Sequence, residues 1–185
     1  MASEFWVEAA FILILILANG FFSGAEIAVV SVRRSRIDQL VEEGYSSARV
    51  VGRLKDDSDR FLATVQIGVT LVSSLASVVG GASAIEFLKP YLQQSGSAFL
   101  HEWGEFIALT LVVIVISYLS LVVGELVPKT LALRYPERVA CTVARPLDFL
   151  SRSFSWVVKV LTACSNVLLF LTGSSARSTE ALVSE

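Results

Sequence analysis

The chain has 185 residues, of which 54% are hydrophobic and only 17% charged, with a mean hydropathy of +0.68. Soluble domains carry about 25% charge, so a soluble domain and a disordered segment are both excluded, and a net charge of −2 offers no basic field for nucleic acid. Two cysteines without metal-ligand spacing (Cys141 and Cys164) and a single histidine, His101, exclude a disulfide scaffold and most zinc, haem and histidine-based chemistry.

An integral membrane protein remains. A membrane-spanning helix needs about 20 mainly apolar residues, and the first stretch of this kind covers residues 5–32. A signal peptide would place positive charge before it, whereas the charges there are Glu4 and Glu8. In the loop after this span, Ile37, Leu40 and Val41 recur at helical spacing, Gly44 breaks the pattern, and a second short helix is predicted from Ser46 to Leu54. Asp56, Asp57, Ser58 and Asp59 are expected to cap the second span, residues 61–87. The third span covers 105–128, and Pro136 and Pro146 punctuate the segment C-terminal to it.

Residues 154–172 are apolar enough to permit a fourth span. However, Ser155, Lys159, Thr162 and Asn166 draw one polar stripe along a helix. A lysine in mid-bilayer costs about 2.5–3.5 kcal/mol, while an interfacial helix snorkels it cheaply. The segment therefore reads as an amphipathic juxtamembrane helix. The predicted fold is an all-α integral membrane domain over 1–173, with three transmembrane helices, and a polar linker over 174–185.

Charge orients it. Seven of the 15 basic residues lie between 33 and 60, one (Lys89) lies in the second loop, and seven lie beyond Pro128. The positive-inside rule then puts the first loop and the C-terminus in the cytoplasm, and the N-terminus outside.

Within hydrocarbon the polar residues carry the information, because each needs a partner or a wet cavity. Asn19, Ser23 and Glu26 share a face of the first span; Gln66, Thr70, Ser73 and Ser77, with Ser74 beside them, stripe the second; Ser117, Ser120 and Gly124, bordered by Glu125, stripe the third. Small and hydroxylated residues also serve plain helix packing, but carboxylates with an amide and hydroxyls point to a polar cavity between the three helices. At 1.5 Å per residue, Ser23, Ser73 and Glu125 lie about 14, 18 and 9 Å from the cytoplasmic ends of their helices, so one shared site is permitted. Oxygen donors without thiolate or imidazole suit Mg²⁺, Ca²⁺ or Na⁺. Pro128 lacks a backbone N–H and is expected to break the helix and free the Gly124 carbonyl, a recurring cation ligand at membrane depth.

These residues fall in recognisable motifs. Asn19-Gly20-Phe21-Phe22-Ser23-Gly24-Ala25-Glu26, Gln66-Ile67-Gly68-Val69-Thr70-Leu71-Val72-Ser73 and Gly124-Glu125-Leu126-Val127-Pro128-Lys129 resemble the transmembrane domain of the CorC/cyclin M (CNNM) magnesium transporters. The resemblance implies a homodimer in the plasma (inner) membrane that exports Mg²⁺, coupled to Na⁺ influx. It implies a largely dehydrated Mg²⁺ held by side-chain oxygens of Ser23 and Ser73, the backbone carbonyl of Gly124 and the carboxylate of Glu125. This sequence has Val69 and Ser73 where many members carry asparagine. The family also has cytoplasmic CBS domains that bind ATP, which are expected beyond the linker.

Three rival readings are a membrane anchor or dimerisation platform, a divalent-cation sensor that moves no ion, and an intramembrane enzyme. The last fails on inventory, since the spans hold no histidine and no aspartate pair for acid–base work.

Overall fold

The computed structural model describes residues 2–83, 85–86 and 98–171. The predicted linker 174–185, the last residues assigned to the second span and most of the second loop, including Lys89, lie outside the described residues. The chain runs through α1 (Ala2–Ser31), α2 (Arg34–Glu42), α3 (Ser46–Asp56), α4 (Ser58–Ser83), α5 (Ala98–Leu121), a π turn (Val122–Leu126), α6 (Val127–Arg134), α7 (Pro136–Ser153) and α8 (Ser155–Leu171). Among the described residues, three helical stretches are long and apolar enough to cross a membrane: Glu4–Ser31, Ser58–Ser83 and Trp103–Arg134.

The third stretch differs from expectation in an informative way. The helix does not stop at Pro128. It widens into the π turn, where the Val127 N–H reaches back to the Val122 carbonyl, and continues as α6 with the proline in its first turn. A proline needs room for its ring and gives up one hydrogen bond; a single wide turn supplies that room without ending the helix.

Glycines set the distances between the spans. A Cβ on Gly68 would lie 2.6 Å from two atoms of the Phe22 ring, so α4 rests on α1 at that point. On Gly20 it would lie 2.9 Å from Pro128 Cγ and 3.2 Å from the Val123 carbonyl oxygen, which seats the π turn on α1. On Gly80 it would strike Ile116 of α5. In lipid there is no hydrophobic drive between helices, so close backbone approach through small residues is what holds them. The outward faces keep their apolar character: Leu13, Ile14, Leu17, Leu71, Ile114 and Leu119 are exposed on the lone chain.

At one end of the spans, α2, α3 and α7 form a collar. Gly44, at φ 91°, turns the chain between α2 and α3, as glycine can without steric cost. Ile37, Val50, Val51, Leu54, Val143 and Leu147 join Val29, Val32, Phe61 and Ala132 of the spans in one hydrophobic core. Lys55 Nζ donates to the carbonyls of Val30 and Val32 and so closes the end of α1. Arg60 donates to the Ser151 carbonyl at 3.0 and 3.3 Å, and Arg36 pairs with Glu137. Glu137 beside Arg36 and Asp56 beside Arg34 raise both guanidinium pKa values further above their ordinary value. The first loop and the segment after the third span therefore lie at the same end, as three crossings require.

Two local expectations need correction. Ser58 does not cap α4 with its side chain; its hydroxyl donates back to the Lys55 carbonyl and closes α3. Pro146 does not interrupt α7 but sits inside it, because Ala140, Val143, Ala144 and Leu147 bury the helix firmly enough to absorb one lost bond. This helix, rather than 154–172 alone, supplies the buried amphipathic face below the spans. Within that segment Ser155–Leu171 form α8, with Lys159 exposed and Trp156 69% exposed.

The glycine contacts give a paired test. Gly68→Ala is expected to lower stability by about 1–3 kcal/mol through overpacking. Gly52→Ala, whose Cβ would meet only Ile37 Cγ2 at 3.7 Å, is expected to be neutral or stabilising by up to ~1 kcal/mol from helix propensity. Unfolding of both variants in detergent, monitored by circular dichroism, measures the difference in sign.

Candidate functional site

The site is built on the face of α1 that the π turn covers. Ile16, Asn19, Gly20, Ser23 and Gly24 succeed one another at helical spacings on that face. The position of a Cβ on Gly124 is 3.0 Å from the Ile16 carbonyl oxygen and 3.1 Å from Asn19 Nδ2. Asn19 Nδ2 donates to the Gly124 carbonyl oxygen at 3.1 Å, a buried bond between elements 105 residues apart in sequence. From α4, the Ser73 hydroxyl donates to Asn19 Oδ1 at 3.3 Å. One amide thus ties all three spans together.

The chemistry of Pro128 explains why Asn19 is there. In a regular helix the Gly124 carbonyl would accept the N–H of residue 128, and proline has none. A buried carbonyl without a partner costs about 1–3 kcal/mol, and in hydrocarbon no water stands in. Asn19 meets that need from outside the helix. Asn19 and Ser23 are themselves 5% and 3% exposed, and Gly124 is buried.

Beside Gly124 stands Glu125, half-buried, with its Oε1 2.5 Å from Lys129 Nζ one turn on. Among the described residues no three His, Cys, Asp or Glu side chains gather in one place. A cation held here would therefore rely on carbonyl and hydroxyl oxygens beside the single carboxylate of Glu125. Such a mixed oxygen set suits a hard cation.

The sequence-derived residues divide into two groups. Asn19, Ser73 and Gly124 are joined by hydrogen bonds; Ser23 shares the Asn19 face, one turn along α1; Glu125 borders them. Glu26 is half-buried one turn beyond Ser23, and Ser120 is half-buried one turn before Gly124. In contrast, Gln66, Thr70, Ser74 and Ser77 are exposed on the lone chain, as is Ser117. The inward face of α4 is instead Phe61, Thr64, Val65, Gly68, Ala76 and Gly80, with Ser73 at its border. The packed side of α4 combines apolar and small residues with Thr64, whose hydroxyl is satisfied by the Arg60 carbonyl of its own helix. The π turn is the feature that sequence reasoning misses, although Gly124 with Pro128 four residues on signals a disturbed turn.

The family description "Cyclin M transmembrane N-terminal domain" matches residues 10–185. The chain is 36% identical over 184 residues to UPF0053 protein sll0260 of Synechocystis, covering 100% of this chain and 41% of that protein. It is 36% identical to the uncharacterized protein MT1889 of Mycobacterium tuberculosis over 87% of this chain and 45% of the relative. It is 28% identical to a polyamine export protein of Haemophilus influenzae over 100% of this chain and 42% of the relative. The chain thus spans less than half the length of these curated relatives.

Removing the amide isolates its role. Asn19→Ala is expected to destabilise the domain by about 1–3 kcal/mol, since the Gly124 carbonyl stays buried without a donor. Ser73→Ala, which removes a donor to an oxygen already held in place, is expected to cost less, roughly 0.5–1.5 kcal/mol. Thermal unfolding in detergent ranks the two.

Proposed function

Because the chain belongs to the cyclin M transmembrane domain family, a family of membrane-transport proteins rather than enzymes, we propose that it is the membrane domain of a Mg²⁺ exporter coupled to Na⁺ influx. The observation that carries this reading is the Gly124 carbonyl, to which Pro128 can offer no N–H, held by Asn19 with Ser73 on the same amide and with Glu125 next to it in sequence. In the proposed mechanism Glu125 supplies the neutralising charge, and Ser23, Ser73 and the Gly124 carbonyl replace water around the ion. Mg²⁺ gives up its hydration shell reluctantly, so several oxygens must act together. Rocking of the helices then exposes the ion to the other side.

The collar is placed in the cytoplasm and the N-terminus outside, in the plasma (inner) membrane. The basic residues of α2, α3 and α7 at one end of the spans support that orientation. A homodimer is supported by the outward Gln66, Thr70, Ser74 and Ser77, whose polar groups suit a second copy better than lipid tails. Segment 154–172 serves as the juxtamembrane helix, with Lys159 and Trp156 at the interface. The greater length of the relatives leaves room for cytoplasmic CBS domains that bind ATP.

A second reading replaces Mg²⁺ by a polyamine. It is supported by the relative named as a polyamine export protein and by the primary ammonium of Lys129 already seated on Glu125.

Proteoliposomes test both. With Mg²⁺ and Na⁺ gradients varied separately, Mg²⁺ efflux is expected that depends on the Na⁺ gradient and falls at least ~100-fold in Glu125→Gln, since a desolvated cation loses its only carboxylate. Spermidine efflux without Mg²⁺ flux would favour the second reading. Mg²⁺ binding without flux would leave a sensor, and neither binding nor flux an anchor.

A further inference from the structure

Two acceptors that the third span brings to the site are held by donors of the protein itself. Asn19 Nδ2 holds the Gly124 carbonyl, and Lys129 Nζ holds Glu125 Oε1 at 2.5 Å. The Lys129 contact has the i,i+4 spacing of ordinary helix pairs, but it lies in the helix that carries the third candidate span rather than in the collar. The pairs Arg34–Asp38 and Arg152–Asp148 lie in the collar on side chains that are largely exposed on the arginine side. Glu125–Lys129 lies within a membrane-spanning stretch, with the lysine and carboxylate only 33% and 42% exposed on the lone chain. A carboxylate without a counter-charge in a membrane-spanning helix is costly, and Lys129 supplies one to Glu125.

We infer that Lys129 is a tethered counter-cation that occupies Glu125 in the ion-free protein and must leave before a transported cation binds. This deepens the cation-site reading and rests on it. The lysine is placed to move: four methylenes carry its ammonium, and the polar collar begins one and a half turns further on, at Tyr135, so the head can swing to water while its stem stays in the apolar layer. The consequence is selectivity. A monovalent ion entering against the ammonium gains no charge over what it displaces, whereas a divalent ion leaves the site with one net positive charge more and binds with stronger Coulomb attraction at the same distance. Lys129 also prevents the emptied carboxylate from standing unpaired in the membrane after release.

The test uses the purified full chain in detergent with MgCl₂ as the probe, comparing wild type with Lys129→Met, Lys129→Gln and Lys129→Arg. Without added ion, the Met and Gln variants are expected to melt below wild type. Their apparent Kd for Mg²⁺ is expected to tighten at least ~10-fold, because a competitor held at high effective concentration has gone. The Arg variant, which keeps the charge, is expected to stay within ~3-fold of wild type, so two neutral variants that bind tighter beside a charged one that does not support the inference. Wild-type binding with unchanged or weaker affinity in both neutral variants overturns it while leaving the cation site standing. If no variant and no wild type binds Mg²⁺, the cation-site reading falls and this inference with it.

Discussion

Pro128 cannot donate a hydrogen bond, and in a membrane that deficit has no solvent remedy. The chain resolves it in two linked ways. The backbone widens into a π turn over Val122–Leu126, and Asn19, from another span, donates to the Gly124 carbonyl. Both devices demand that α1 lie close to the turn, which Gly20 and Gly24 permit by having no side chain to meet Pro128. Ser73 then orients the amide from α4. A single missing N–H thereby shapes how three helices meet, and sets at their meeting point a carbonyl oxygen one residue from a carboxylate.

The collar gives that meeting point a mechanical connection. α6 continues directly from the π turn, and its Ala132 is fully buried in the same core as Ile37, Val51 and Leu147 of α2, α3 and α7. Any change in the pitch of the turn must move α6, and α6 is packed on the collar. The collar in turn holds the lower ends of α1 and α4 through Lys55 and Arg60. α6 thus connects the site to the collar through a shared packed core.

Much of this is legible in the sequence where the cause is local. The three spans come from apolar length, and the break at Gly44 from its conformational freedom. The release of the Gly124 carbonyl comes from the absent N–H of Pro128 alone. Less legible is anything that depends on which of two faces wins. The serines, threonine and glutamine of α4 recur at helical spacing, but Gly68, Ala76 and Gly80 do too, and close approach in lipid favours the small residues; only Ser73 lies near both stripes. The importance of α7 is hidden because its charged residues and Pro146 suggest a broken surface segment, while its buried alanines, valine and leucine are needed only once α2 and α3 are there to receive them. The Glu125–Lys129 pair is spelled out in the sequence four residues apart, yet its weight comes from the membrane around it.

The most direct test of the account places a heavy stand-in at the site. A structure of the protein in lipid, solved by anomalous X-ray diffraction with Mn²⁺ in place of Mg²⁺, should show one peak within about 2–2.5 Å of the Gly124 carbonyl and Glu125, with Ser23 and Ser73 turned towards it and the Asn19 amide no longer donating to Gly124. A peak elsewhere in the bundle, or none at millimolar Mn²⁺ with the Asn19–Gly124 bond intact, would contradict it.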